Sequence, residues 1–290
     1  MPYATAKDGT KLYYKDWGKG DPVVLLHGWP LTGDTFDDAA VALVDAGKRC
    51  IIPDRRGFGR SDQPWDGYDY DTFADDVAAI LADASVSEPV ALVGFSMAGG
   101  EVARFLTRHG ARRVSKAVLI GSIVPYMLKT DDNPNGVPQA IFDQIAAGIR
   151  KDRAAFFTAF FKDFFGVGLA SHPVSDEVLR DAWRQALLAG LRPTLAAAQA
   201  FATTDFRPDL ASFTIPTLVI HGTADKTVPI DATGRVVAEK VPGARLIEYD
   251  DSPHGLFATD KERLIADLLD FLGTSETIDQ RSAIPLSEQV

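Results

Sequence analysis

PVALVGFSMAGGEVARF, residues 89–105, decides the fold. An apolar run bounded by glycine reads as a strand buried on both faces. The strand breaks at Gly94-Phe95-Ser96-Met97-Ala98-Gly99-Gly100, and helical spacing follows. A serine at the apex of a sharp strand-to-helix turn is the context of a nucleophile elbow, G-x-S-x-G. Strand and helix approach closely in such a turn, so its neighbours must be small. Gly94 meets that demand, and Gly99 and Gly100 keep later positions bare. Ala98 adds one methyl where glycine is usual; a small shift of the helix absorbs it. We read Ser96 as a nucleophile rather than a helix cap. The turn also brings the Met97 backbone N–H to a helix N-terminus, where it donates to a developing oxyanion.

The same strand signal recurs on both sides of this stretch. PVVLLHG (22–28), RCIIPD (49–54), KAVLIGS (116–122), PTLVIHG (216–222) and ARLIEYDD (244–251) are short apolar runs, mostly separated by helical spacing. Buried strands alternating with helices imply an α/β fold: a mostly parallel sheet covered by helices on both faces. Asp8-Gly9 between alternating runs adds a hairpin at the start. After Ser122 the alternation stops. Residues 125–210 read as loops and helices, including AAFFTAFFKDFF (154–165) and DEVLRDAWRQALL (176–188). The expected organisation is a core of residues 1–124 and 211–273, a helical cap insertion of residues 125–210, and a polar tail of residues 274–290. That tail reads as a mobile segment or an inter-subunit arm.

A serine hydroxyl is a weak nucleophile until a base takes its proton. His254, in DDSPHG, follows the last strand and emerges at the same sheet edge as Ser96. The acid that orients a base belongs on a strand end between the two, and HGTADKTVP offers Asp225 there. His27 and His221 also end strands; we read His27 as structural. His109 and His172 read as surface residues. His27-Gly28-Trp29-Pro30 follows a strand next to the elbow strand, so the Trp29 N–H becomes the second oxyanion donor. Nucleophile, base, orienting acid and oxyanion donors are then all assigned. Trp29, Pro30, Phe95, Val124 and Val228 flank these residues in sequence and are expected to line the substrate pocket, with some cap phenylalanines closing a small apolar acyl site.

Composition removes other classes. The 290 residues are 46% hydrophobic and 24% charged, ordinary for a globular protein. A formal charge of -10 repels phosphate backbones and argues against nucleic-acid binding. The lone cysteine, Cys50, sits in an apolar run and reads as core, with neither disulfide nor metal spacing. No apolar run approaches the roughly 20 residues needed to span a membrane. The polar N-terminus lacks the pattern of a signal peptide. A soluble protein of the reducing cytoplasm is expected.

With these motifs in place the sequence resembles the α/β-hydrolase superfamily. More narrowly it is similar to bacterial arylesterases and cofactor-free haloperoxidases, also called perhydrolases. The resemblance rests on HGWP, IIPDRRGFGRSDQPWDGYDYDTFADDVAAIL, VGFSMAGGEVARFLTRHG, TTDFRPDLASFTIPTLVIHGTADKTVP and SPHG. The order Ser96, Asp225, His254 is the order of that superfamily. Ala98 and the long C-terminal extension depart from the usual pattern. The resemblance implies a serine hydrolase of small carboxylic esters, working through an acyl-enzyme, with no cofactor or metal. In haloperoxidase-like members hydrogen peroxide replaces water, and the peracid formed oxidises halide. Proline at position 30 is usual in those members; it restricts Trp29 and orients the Trp29 carbonyl toward peroxide. The resemblance also implies a homo-oligomer. The same triad would serve a γ-lactamase, and some relatives of this fold are non-catalytic binding proteins. Dehalogenases and epoxide hydrolases need an aspartate where Ser96 stands.

Overall fold

The computed structural model describes residues 2–169 and 171–273; the tail expected at 274–290 lies outside the described residues. Its strands are β1 (Tyr3–Thr5), β2 (Lys11–Gly18), β3 (Pro22–Leu26), β4 (Arg49–Pro53), β5 (Val90–Phe95), β6 (Val114–Ile120), β7 (Thr217–Gly222) and β8 (Arg245–Tyr249). They form one sheet in the order β1-β2-β4-β3-β5-β6-β7-β8. β1 and β2 make the hairpin expected around Asp8-Gly9, and β2 runs antiparallel to β4. All later pairings are parallel. Every residue of β3, β5 and β7 is buried, which requires cover on both faces.

That cover comes from the amphipathic segments. α1 (Asp37–Asp45) buries Ala39, Ala40 and Leu43, and α2 (Tyr70–Asp83) buries Phe73, Val77, Ile80 and Leu81. Asp69 caps α2 by accepting from the Thr72 N–H at 2.9 Å. α3 (Ala98–His109) starts directly after the Ser96 turn and packs on α2. Cys50 lies in the core without solvent exposure, and burial pushes its thiol up to about 12.

Between β6 and β7 the chain leaves the sheet for α4 (Gln139–Phe164), α5 (Asp176–Leu188) and α6 (Leu191–Thr203). α4 breaks at Asp152, which is extended (φ -159°, ψ 93°). The Asp152 carboxylate then accepts from the Ala155 N–H at 2.9 Å and restarts the helix. The restarted half carries the phenylalanine run, of which Phe157, Phe161 and Phe164 are buried. After β7 come α7 (Gly234–Lys240), α8 (Leu256–Thr259) and α9 (Lys261–Gly273), with α9 packed on α1.

The register of the parallel strands is level at one edge. Leu26 pairs with Gly94, Phe95 with Ile120, Ile120 with Ile220, and Gly222 with Tyr249. The residues that follow these ends therefore leave the sheet together, at its carboxyl edge, where ligands bind in open parallel sheets.

Candidate active site

Ser96 follows β5 directly and has φ 56°, left-handed backbone that a serine rarely adopts. Three hydrogen bonds hold it there. Its N–H donates to Ile120 O at 2.8 Å, and its carbonyl accepts from Gly99 N at 3.1 Å and Ile123 N at 3.3 Å. The close approach of strand and helix explains the glycines. A Cβ on Gly94 would lie 2.6 Å from Ala98 O, and one on Gly99 would lie 1.9 Å from Ser122 Oγ.

Loops after β7 and β8 bring the partners. His254 Nε2 lies 2.9 Å from Ser96 Oγ, and His254 Nδ1 lies 2.5 Å from Asp225 Oδ2. A carboxylate only accepts, so Nδ1 carries the proton and Nε2 is left to accept from the serine. The other oxygen, Asp225 Oδ1, accepts from Thr227 N at 2.9 Å and Val228 N at 2.8 Å. Burial alone would raise the Asp225 carboxyl, but His254 and His221 outweigh it and hold it well below the usual carboxylate range. The His254 ring rests against Phe95, with centroids 5.0 Å apart, and Phe164, 4.8 Å apart. All three polar residues are buried.

Met97, one of the two residues whose amides are expected to serve the oxyanion, follows Ser96 directly, and Trp29, the other, lines the same cavity as Ser96. Among the described residues, neither the Trp29 N–H nor the Met97 N–H donates to a protein acceptor, though both residues are buried. Buried N–H groups are nearly always paired, so these two are left available to an acceptor outside the protein. The Trp29 loop is pinned to the cap: indole Nε1 donates to Thr194 O at 3.0 Å, and its ring packs on Phe157, Phe160 and Phe201.

Ser96 opens on a cavity of about 450 Å³, within the range of small-molecule sites. Trp29 and Val228, two of the residues expected at the pocket, are among those that line it. Pro30, Phe95 and Val124, also expected there, are not among the lining residues. Phe95 is the last residue of β5 and packs behind the site, against His254, Phe164 and Phe257. Val124 and Pro30 are buried in the turns after β6 and β3. The remaining wall comes from Ile123 and Met127 after β6, from Val137, and from cap residues Ile141, Phe142, Ile145, Phe160 and Phe201, with Asp163, Lys226 and Thr227. Of the phenylalanines in 154–165, Phe160 reaches the cavity while Phe157, Phe161, Phe164 and Phe165 are core. No local signal marks the cap residues of the wall, because an apolar residue facing a cavity has the same spacing as one facing a core.

The other histidines separate as well. His27 Nε2 accepts from the Arg55 N–H at 2.9 Å, so it serves the loop and not Ser96. His221 Nε2 lies 3.0 Å from Val228 O and 3.4 Å from Asp225 Oδ2. His109 meets Asp75 at 2.9 Å, and His172 is exposed.

Residues 21–261 match the sequence pattern of the alpha/beta hydrolase fold. The chain belongs to that family. Among relatives of this hydrolase, a non-heme chloroperoxidase of Kitasatospora aureofaciens is 46% identical, over 94% of this chain and 99% of that protein. A bifunctional esterase/perhydrolase of Acinetobacter calcoaceticus is 40% identical, over 94% and 99%. The crystal structure of a bromoperoxidase from Bacillus anthracis superposes on the hydrolase with a TM-score of 0.90, at 42% identity, covering 94% of this chain and all of that one. No helix among the described residues is long and apolar enough to cross a membrane.

Proposed function

We propose that this protein is a serine esterase of small carboxylic esters that also transfers its acyl group to hydrogen peroxide. The observation that carries this reading is the continuous hydrogen-bonded path Asp225–His254–Ser96, opening on an apolar cavity beside two unpaired amides. Ser96 Oγ attacks the ester carbonyl while His254 Nε2 takes the hydroxyl proton. The charge on the carbonyl oxygen is held by the Trp29 and Met97 amides. His254 then returns the proton to the departing alcohol, leaving an acyl-serine. Water, deprotonated by His254, releases the carboxylic acid and restores the serine. Hydrogen peroxide in the same place releases a peracid instead. The peracid passes its terminal OH oxygen, with its proton, to a halide ion outside the protein, giving carboxylate and hypohalous acid. Asp225 keeps the imidazole in the tautomer that can accept from Ser96 and stabilises the imidazolium.

The esterase/perhydrolase and haloperoxidase relatives support both halves of the reading. The Trp29 carbonyl accepts no hydrogen bond among the described residues, so it is available to an attacking peroxide. The reading carries with it a cytoplasmic homo-oligomer acting on small molecules, without nucleic-acid or membrane partners; light scattering of the purified protein tests the assembly. The decisive experiment is p-nitrophenyl acetate hydrolysis by wild type and Ser96→Ala, each with and without peroxide and bromide. The expected result is hydrolysis lost in Ser96→Ala, and bromination that needs peroxide, a carboxylic acid or ester, and Ser96. Equal turnover by both proteins would refute the assignment of the nucleophile.

A further inference from the structure

The motif Asp54-Arg55-Arg56-Gly57 contributes nothing to the triad, yet it places a buried charge directly behind the oxyanion loop. The Arg55 and Glu101 side chains are 4% and 3% exposed and form an ion pair through Arg55 Nε and Glu101 Oε1. Removing two charges from water is expensive, and an apolar pair would fill the space at less cost. Its contacts are informative. Arg55 Nη2 donates to the His27 carbonyl at 2.5 Å, and the Arg55 backbone N–H donates to His27 Nε2 at 2.9 Å. Because Nε2 accepts, the proton of a neutral His27 sits on Nδ1. That Nδ1–H lies 2.9 Å from the Gly28 carbonyl oxygen, which also accepts from Leu31 N at 3.0 Å.

The Gly28 carbonyl and the Trp29 N–H belong to one peptide unit. That unit is planar, and it is trans, so its C=O and N–H point in opposite directions. Fixing the carbonyl with two donors on one side therefore fixes the direction of the N–H on the other. Glu101 completes the link. It lies on α3, four residues after Met97, so one guanidinium touches both the loop that carries the Trp29 amide and the helix that carries the Met97 amide.

We propose that Glu101, Arg55 and His27 form a positioning relay that aims the Trp29 amide at the oxyanion and holds it at a fixed distance from the Met97 amide. The relay rests on the reading of Ser96 as nucleophile and of these two amides as donors. None of its three residues is among those lining the cavity on which Ser96 opens. Burial and the neighbouring Arg55 charge hold the His27 imidazole well below its ordinary range, which keeps the required neutral form.

The test uses the full chain and counts functional sites by the end point of a fluorophosphonate titration of Ser96. Arg55→Met/Glu101→Leu removes both charges together, so neither is left unpaired. His27→Phe removes the donor to Gly28 but keeps a ring, and His27→Asn keeps an N–H donor at the Nδ1 position. Deleting an oxyanion donor costs about 10²–10³ in kcat, so a misaimed one is expected to cost about 10–100-fold. That loss should appear in kcat per titrated serine with KM little changed. Affinity for phenylboronate, whose tetrahedral serine adduct places an oxygen in the same position, should fall in parallel. His27→Asn should retain most of the wild-type kcat. Wild-type kcat and boronate affinity per titrated site in the double variant and in His27→Phe would overturn the relay; if the double variant fails to fold, His27→Phe decides alone. Ser96→Ala, run alongside, separates the two failures. If it keeps wild-type turnover, the nucleophile reading fails and the relay with it. If it is inactive while the relay variants turn over normally, the relay alone falls.

Discussion

Asp225→Asn changes one atom and should nearly abolish catalysis. Asp225 Oδ1 accepts two backbone N–H groups, at 2.9 and 2.8 Å, while Oδ2 faces His254 Nδ1 at 2.5 Å. The introduced amide has two orientations. With its NH₂ toward Thr227 and Val228, two donors would face two donors at hydrogen-bond distance. Each buried donor left unsatisfied costs about 1–3 kcal/mol. With its NH₂ toward His254, both backbone bonds survive, and the only strain is with His221 Nε2, 3.4 Å from Oδ2. The second orientation therefore wins. It presents a donor to His254 Nδ1, which must accept, so the ring proton moves to Nε2. Nε2 can then no longer accept from Ser96 Oγ. Loss of the correct tautomer in a triad costs about 10⁴ in kcat, or about 5 kcal/mol in the barrier. The backbone bonds of the loop are kept, so KM and thermal stability should move little. The assay is steady-state hydrolysis of p-nitrophenyl acetate, with Ser96→Ala as the floor and the unfolding midpoint measured for each protein. A kcat within about tenfold of wild type would refute the tautomer argument, since a group worth so little cannot be setting the proton on the base.

Other consequences follow from the same geometry. Gly94→Ala sets a methyl 2.6 Å from Ala98 O and 2.8 Å from its carbonyl carbon, so the turn must open; urea unfolding should show a loss of about 1–3 kcal/mol, accompanied by lower kcat. His27, held below its ordinary value of 6.5, stays neutral while the unfolded chain takes up a proton. The unfolded state then binds more protons, so below about pH 6.5 this group removes about 1.4 kcal/mol per pH unit until the folded value is reached. The difference in unfolding free energy between wild type and His27→Phe should carry that slope and be flat above it. Pro30→Leu should lower the ratio of perhydrolysis to hydrolysis, measured as peracid formed against acid formed, because Pro30 governs the backbone at the Trp29 carbonyl; an unchanged ratio would remove Pro30 from the account.

Much of this architecture is legible without coordinates, for a physical reason. A strand buried on both faces must be apolar at nearly every position, and residues 22–28, 89–96 and 216–222 announce themselves that way. Strand ends in a parallel sheet share an edge, so polar residues just beyond them, Ser96, Asp225 and His254, are neighbours in space despite up to 158 residues of separation. The pocket follows no such rule. Phe95 adjoins the nucleophile in sequence, yet it turns to brace His254, while Phe142 and Phe201 reach the cavity from distant helices. Adjacency in sequence places backbones, whereas the wall of a cavity is set by how the cap packs. The buried pair was equally silent: nothing in the spacing of Arg55 and Glu101 indicates which of several arginines and acids meet inside the core.

Ala98 shows why a departure from a motif must be weighed atom by atom. In the G-x-S-x-G pattern the two glycines look equivalent, but the structure gives them different tasks. At residue 94 the glycine is required because its Cβ would strike the backbone of Ala98 and Gly99, at 2.6–2.9 Å, and backbone in a hydrogen-bonded turn cannot retreat cheaply. Ala98 is itself fully buried, in the first turn of α3. The tight crossing next to it is made by Gly99, where a Cβ would meet Ser122 Oγ at 1.9 Å. Ser122 in turn accepts from the Val124 N–H at 3.1 Å, in the loop that begins one wall of the cavity. The closeness that forces Ser96 to φ 56° is thus produced by positions 94 and 99 together with the Ile120 and Ile123 hydrogen bonds. A methyl at 98 leaves each of those constraints in place, and the strained serine remains aimed at the base.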